Sequence, residues 1–365
     1  MSARRRVLVL FGGRSAEHDV SRATAVAVAC ALDPAKYDVV PVAITTDGRW
    51  LLAEEAIAQL EGARDALPAA FAVSGSPVEL PSDPGRAELV KLDSGPPLAV
   101  DVVLPLLHGP YGEDGTVQGL LELAGLPYVG AGVLGSAVGM DKIMMKRAFA
   151  AAGLAQARYL PLRDTHDVSE FADRVEAELG LPCFVKPANM GSSVGVSKAR
   201  TRAELDAAIA NALDYDEWIV AEEAVVGREI EVGVLGDDPA EASVPGEVVP
   251  AAEFYDYADK YEDGKAELLV PAPLTDAQTE AVRALAVAAF EACRCEAMAR
   301  VDFFLREDGV FLVNELNTIP GFTPISMYPK LWAATGVGYS DLLDRLIDHA
   351  IARHTRRSNR AGRQR

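Results

Sequence analysis

ARVDFFLREDGVFLVNELN, residues 299–317, places two short apolar-rich runs, Ala299–Leu305 and Val310–Asn317, on either side of Asp308–Gly309. Asp-Gly between two such runs is a strong hairpin signal. A short, even-numbered connection sets Leu305 opposite Val310. Side chains alternate along a strand, so even positions on the first run share a face with odd positions on the second. Arg300 and Asp302 then point the same way as Glu315 and Asn317, while Val301, Phe303, Leu305, Leu312 and Leu316 are expected to face the core. One face thus gathers a cation, two carboxylates and an amide. Hard oxygen donors of this kind suit Mg²⁺, which takes few carboxylates and shares its shell with substrate phosphates. Spacing alone leaves a second reading open, a surface salt bridge between Arg300 and Glu315.

Outward from the hairpin, the runs Glu229–Leu235 and Ser243–Val249 read as further strands, with a long helix over Asp276–Cys293. Between them Ala252–Pro273 is polar, tyrosine-rich and without period, which suggests a functional loop. The beginning of the chain has a different rhythm. Strand Arg6–Phe11, helix Ser21–Leu32 and strand Tyr37–Ile44 open an α/β sheet, and Val100–Leu107 adds a strand before a glycine-rich turn. Residues 62–97 show no firm period and read as a surface insertion with some local structure. Arg353–Arg365 holds six arginines and almost nothing apolar, the composition of a disordered tail.

The chain has 365 residues, with 35 Lys and Arg against 54 Asp and Glu, a formal charge of −19. That length allows two or three domains with real cores. The acidity argues against a nucleic-acid partner, because a phosphate backbone needs a clustered positive field; a nucleotide needs only a few placed lysines. No apolar run approaches the ~20 residues of a membrane helix, and the run after Arg4–Arg6 stops at Gly12–Gly13, short of an export signal. Cys30, Cys183, Cys293 and Cys295 lack zinc spacing, and the last two read as small buried hydrophobes. The chain reads as cytoplasmic.

Two more segments carry chemistry. Lys186 ends a buried run, and Gly191–Ser192–Ser193–Val194–Gly195 follows, a loop whose backbone N–H groups can cradle phosphate oxygens. Its spacing is not that of a Walker loop. Lys142, at the start of a helix, is a second phosphate candidate. Gly12–Gly13–Arg14–Ser15–Ala16–Glu17–His18 joins the first strand to its helix, where open α/β sheets bind ligands. The glycine spacing is wrong for a dinucleotide fingerprint, which removes an NAD-dependent oxidoreductase from consideration. Glu17 there suits a substrate ammonium, or equally a favourable charge at a helix N-terminus.

Gly12–Gly13 with Ser15 and Glu17–His18, His108–Gly109 with Gly112–Glu113–Asp114–Gly115, Lys186–Pro187, the Ser/Gly loop and Glu315–Leu316–Asn317–Thr318–Ile319–Pro320–Gly321–Phe322–Thr323 occur in that order. Together they resemble the D-alanine–D-alanine ligase family of the ATP-grasp superfamily, over about residues 5–350. The resemblance implies an α/β and α+β chain: an open parallel N-terminal α/β substrate domain (1–141), then a two-lobed ATP-grasp fold. Its central lobe would span 142–222 and its C-terminal lobe 223–352, with a catalytic loop at 252–273 and a basic tail at 353–365.

It further implies ATP as co-substrate and two Mg²⁺ or Mn²⁺ ions held by Asp302, Glu315 and Asn317. Lys142, Lys186, Ser193 and Lys260 would handle phosphates; Glu222 and the Val225 backbone would read adenine, and Glu229 the ribose. Glu17 would bind the ammonium of the first D-alanine, with Ser192 and Tyr261 linked to it. Arg300 and the Gly321 N–H would stabilise an oxyanion, Ser326 and the Met327 backbone would take the second carboxylate, and His108 would line the site. A homodimer is implied as well. Glu223 stands where relatives often carry lysine and is left out of the site. The rivals are a D-alanine–D-lactate ligase, another ATP-grasp carboxylate–amine ligase, and a nucleotide-binding regulator without chemistry.

Overall fold

The computed structural model describes residues 4–61, 69–81, 83–84, 86–93, 95–250, 266–323 and 325–360; Lys260 and Tyr261 lie outside them. Arg5–Gly12 (β1) is flanked in parallel by Tyr37–Ile44 (β2) and Val102–Pro105 (β7). Its run is apolar without alternation because both faces are covered. Val7, Val9 and Phe11 pack with helix His18–Ala31 (α1). Leu8 and Leu10 pack on the other side with Val117 and Leu121 of Thr116–Leu123 (α3), Glu54–Glu61 being α2. Beyond β2 the sheet continues antiparallel through Trp50–Leu52 (β3), Ser76–Glu79 (β4), Glu88–Lys91 (β5) and Leu98–Ala99 (β6). The sheet is therefore parallel at one end, through β2, β1 and β7, and antiparallel on the other wing. Much of that wing comes from the stretch expected to be a surface insertion, whose strands are too short to show a period.

Val133–Met140 (α4) and Lys142–Ala151 (α5) lead to a four-stranded antiparallel sheet. It is built from Tyr159–Arg163 (β8), Cys183–Pro187 (β9), Ser197–Ala199 (β10) and Trp218–Glu223 (β11). Helices Val168–Glu178 (α6) and Arg202–Leu213 (α7) cover one face, where Phe171, Val175, Leu205 and Ile209 meet Val185 and Ile219. Alternation sends Lys186, Val220 and Glu222 to the other face.

The five-stranded antiparallel sheet orders Glu267–Leu269 (β14), Ala240–Val249 (β13), Arg228–Gly236 (β12), Ala297–Leu305 (β15) and Phe311–Asn317 (β16). β14 lies within the stretch expected to be a loop. Helix Asp276–Ala292 (α8) starts at a Thr275/Gln278 capping box. Its Val282, Ala286 and Phe290 pack with Ile230, Val232, Val301 and Phe303. α5 belongs to both later sheets: Met145 and Phe149 enter this core, while Ile143 packs on Ala188 and Val220.

The hairpin register differs from the one expected. Leu305 pairs with Phe311 rather than Val310, and Phe303 with Val313. Phe311 and Val313 therefore join the core beside Leu305, and Leu312 lies opposite Phe304 instead. Left uninterrupted, this register would turn Glu315 away from Asp302. A bulge between Asp302 and Phe303 leaves Asn314 as the extra residue, so that Asp302 pairs with Glu315 and Arg300 with Asn317.

Met327–Ala334 (α9) and Tyr339–Ser358 (α10) end the chain. α10 returns to the first sheet, where Leu342, Leu346, Ile347 and Ala350 complete the core around Val7 and Phe11. The expected disordered tail is thus helical as far as Ser358. Arg353 is 2% exposed and donates to the carbonyls of Tyr128 (2.7 Å) and Gly130 (2.6 Å). Arg357 meets Glu296 (2.7 Å) and Glu122 (3.1 Å). Composition hid this because the arginines answer carboxylates and carbonyls far away in the chain. Among the described residues no helix is long and apolar enough to cross a membrane.

Candidate active site

The polar face of the five-stranded sheet is the floor of the site. Direct pairing puts Glu231 against Asp302 and Asp302 against Glu315, with Glu229 one step along β12 and Arg300 against Asn317. Arg300 grips both oxygens of Asp302 (2.7 Å each) and meets Glu231 Oε2 at 3.1 Å. Asn317 Nδ2 donates to Asp302 at 3.0 Å. The salt bridge considered from sequence, Arg300 with Glu315, is therefore not the pair that forms. Arg300 bonds its strand neighbour Asp302 and cross-strand Glu231 instead, because the bulge sets Glu315 opposite Asp302 and not opposite Arg300.

The four-stranded sheet contributes a buried ion trio. Lys186 Nζ lies 2.9 Å from Glu222 Oε2, and Lys146 Nζ, from α5, lies 3.1 Å from Glu222 Oε1. Burial works to raise the Glu222 pKa, but the two ammonium groups outweigh it and hold the carboxyl down at about 2. Burial pushes Lys146 below its ordinary value; for Lys186 burial also lowers, yet Glu222 and Glu315 prevail and raise it. Asp141 caps α5 by accepting from the N–H groups of Ile143 (2.9 Å) and Met144 (2.8 Å). That cap fixes the turn from which Lys142 donates to Met190 O at 2.6 Å, at the entrance of the Ser/Gly loop. Glu223 bonds Arg158 Nε (2.6 Å) and so faces away from Lys186 and Glu222.

Within that loop Ser192 and Ser193 hold φ of 47° and 59°, left-handed values uncommon for non-glycine residues and a feature of functional turns. Ser192 Oγ bonds Glu17 across 175 positions of sequence. A Cβ at Gly191 would sit 3.0 Å from Glu17 Oε2, so this glycine is what lets the loop lie on the carboxylate.

The turn after β7 brings His108 and Glu113 to the same place. His108 is 5% exposed; its Nδ1 pairs with Ile319 O at 3.1 Å, and its Nε2 is buried without a hydrogen-bond partner among the described residues. Glu113 accepts from Gly109 N (2.7 Å) and Ile319 N (3.0 Å), clamping this turn to the segment after β16. Burial, then the nearby Glu17 charge, pushes Glu113 up to about 8 against those two N–H donors.

Beyond Ile319 the chain passes Gly321, whose added Cβ would stand 3.0 Å from Ser326 Oγ, and enters α9 at Ser326–Met327. Ser326 Oγ accepts from Thr323 N at 3.2 Å. α9 rests on the polar face of the sheet: Gly246, paired with Glu231, lacks a side chain where the Met327 thioether packs, 2.8 Å from a built Cβ. The open N–H groups of a helix start thus come to the side of the floor that holds Glu231 and Arg300.

Contacts thus join Glu17 to Ser192, Lys142 to the loop entrance, Lys186 to Glu222, Arg300 and Asn317 to Asp302, and Gly321 to Ser326, while His108 bonds the segment after β16 and Lys186 feels Glu229 and Glu315. Val225 follows β11 beside the exposed Val226. Three residues were missed. Lys146 stands one helical turn after Lys142, a visible spacing. Glu231 alternates with buried Ile230 and Val232, also visible. Glu113 sat inside a quoted motif, but nothing local marks its reach to Ile319.

Three sheets, a lysine-lined loop that can cover phosphates and a carboxylate–amide floor define an ATP-grasp ligase behind an N-terminal α/β sheet. The D-ala D-ala ligase N-terminus family matches residues 6–131, and the D-ala D-ala ligase C-terminus family residues 148–348. A relative from Geobacillus thermodenitrificans named D-alanine–D-alanine ligase is 51% identical over 352 residues, 96% of each chain. One of the same name from Mycolicibacterium paratuberculosis is 50% identical over 364 residues, covering 96% of this chain and 98% of its own. Among solved structures, the D-alanine-D-alanine ligase from Coxiella burnetii superposes with TM-score 0.85 at 35% identity, covering 97% of this chain and 96% of its own. The VanG D-Ala:D-Ser ligase from Enterococcus faecalis gives 0.84 at 32%, covering 95% and 100%. The chain belongs to the D-alanine–D-alanine ligase family.

Proposed function

We propose that the chain joins two molecules of D-alanine into D-alanyl-D-alanine, cleaving ATP to ADP and phosphate, for peptidoglycan precursor synthesis in the cytoplasm. What supports this reading is that Ser192, in the loop entered past Lys186 and Lys142, bonds Glu17, while Lys186 feels Glu315 and Glu229 of the Arg300–Asp302–Asn317 floor. An anion-holding half and an ammonium-holding half side by side suit transfer of phosphate to an amino acid.

The first D-alanine binds its ammonium at Glu17. Its carboxylate oxygen bonds to the γ-phosphorus as the bond to ADP breaks, giving an acyl phosphate. Lys142, Lys186 and Lys260 hold the phosphates, and Ser193 in the Ser/Gly loop covers them. The neutral amine of the second D-alanine then bonds to the acyl carbon, loses a proton, and phosphate leaves. Arg300 and the Gly321 N–H face the oxyanion that develops. Ser326 and the Met327 N–H hold the second carboxylate at the start of α9, and His108 lines the pocket through Nε2, which has no hydrogen-bond partner among the described residues. Glu222 and Val225 receive adenine and Glu229 the ribose.

Asp302, Glu315 and Asn317 would hold two Mg²⁺ or Mn²⁺ ions. The donor set fits in kind: Asp302 pairs directly with Glu315 and Asn317 adjoins them, two carboxylates and an amide on one face. When bound, such ions offset charge on the transferring phosphoryl group. The division at 1–141, 142–222 and 223–352, and a homodimer, belong to the same proposal. Purified protein with ATP, Mg²⁺ and D-alanine should release phosphate and dipeptide in equal amounts. ATP turnover that ignores D-alanine, or needs an L-amino acid, would overturn the reading. D-Serine and D-lactate offered in competition identify the acceptor, and D-alanine should prevail.

A further inference from the structure

We propose that Lys146 is a positioning residue that lets Lys186 change partners, keeping Glu222 neutralised when Lys186 turns from that carboxylate to a nucleotide phosphate. The inference rests on the ATP reading above. Glu222 is 4% exposed and has one lysine on each oxygen. The two lysines differ in access: Lys146 is 1% exposed and Lys186 15%. Lys146 stands on α5, a helix anchored by Met145 and Phe149 in the core of the five-stranded sheet, with its ammonium 5.5 Å from the centre of the Tyr159 ring. Lys186 ends β9 and feels Glu315 and Glu229 of the floor as well as Glu222.

A buried carboxylate stripped of its only cation is strongly unfavourable. If Lys186 alone balanced Glu222, every nucleotide that recruited Lys186 would strand that carboxylate, and binding energy would be lost to the stranding. With Lys146 held in place, Glu222 keeps one full cation throughout, and Lys186 is released at little cost. The trio by itself carries two positive charges and one negative, so releasing Lys186 leaves Glu222 still balanced by Lys146.

The test is a double-mutant cycle with Lys146→Met, Glu222→Gln and both together, read by calorimetric binding of ADP and of a non-hydrolysable ATP analogue. Lys146→Met should weaken nucleotide binding by roughly tenfold or more and leave the D-alanine KM unchanged. It should also make binding take up a proton near pH 7, seen as a dependence of the heat on buffer ionisation, because stranded Glu222 protonates. In the Glu222→Gln background, where any change to the adenine contact is common to both proteins, Lys146→Met should cost little further affinity, and the proton uptake should vanish. If Lys146→Met costs as much in the Glu222→Gln background as in the parent, Lys146 touches the nucleotide directly or only packs, and the proposal falls; it falls equally if Lys146→Met binds as the parent does. Lys186→Met separates the two lysines even where Lys146→Met folds poorly. It should melt close to the parent while losing nucleotide affinity, and equal destabilisation by both variants would refute the division of labour. A parent protein that binds no nucleotide would refute the ATP reading itself, before any variant is compared.

Discussion

Glu113→Gln should change how stability depends on pH, in a direction the structure fixes. The Glu113 carboxyl is held at about 8 in the folded chain, against 4.5 ordinarily, by burial and by Glu17. Between those values the folded protein keeps a proton that the unfolded chain has released. The raised pKa therefore contributes stability that is fully present below pH 4.5 and is lost as pH rises through about 8. Every tenfold gain in the carboxyl's hold on its proton is worth about 1.4 kcal/mol, so the whole contribution is at most roughly 5 kcal/mol. Glutamine does not titrate. It keeps one carbonyl acceptor for the N–H groups of Gly109 and Ile319, so at low pH the variant should be the weaker by about 1–3 kcal/mol for the donor it strands. From pH 5 to pH 8 the parent should lose stability relative to the variant by about 1 kcal/mol per pH unit, closing and then reversing the gap. Urea unfolding of both proteins in parallel, with hydrogen exchange at Gly109 and Ile319, measures this. A stability difference that stays constant from pH 5 to pH 9 would refute the buried, protonated carboxyl.

Glu315→Gln should lower turnover by orders of magnitude with an unchanged melting temperature, checked by steady-state kinetics over a range of Mg²⁺ concentrations. Arg300→Met removes a donor to developing charge and should cost the chemical steps roughly 2.7–4 kcal/mol. Nucleotide affinity measured by calorimetry should change much less. Arg353→Met leaves the Tyr128 and Gly130 carbonyls without their donor. Unsatisfied buried groups cost about 1–3 kcal/mol each, so its thermal transition should fall by several degrees, although the residue lies in a stretch that reads as a tail.

The hairpin shows how far local pattern reaches. Alternation put Arg300, Asp302, Glu315 and Asn317 on one face, and they are on one face, but through a register and a bulge that alternation does not contain. A turn signal fixes that two strands meet, whereas packing of Phe311 and Val313 under α8 decides which residues pair. Residues 76–99 were illegible for a related reason: β4, β5 and β6 each have four residues or fewer and hold together only as neighbours in a sheet.

What the sequence determined by itself were features written in consecutive residues: the α/β opening, the Ser/Gly loop after Lys186, the Asp-Gly hairpin and the ordered motifs that place the chain in its family. Only the tertiary structure decided the pairs that make the cleft. Ser192 finds Glu17, Lys146 finds Glu222, Glu113 finds Ile319, and a basic C-terminal helix closes the core of the first sheet. Spacing along the chain reports which face of an element a side chain occupies. It carries no information about which distant element covers that face, because that choice is made by burying the apolar faces of all three sheets at once.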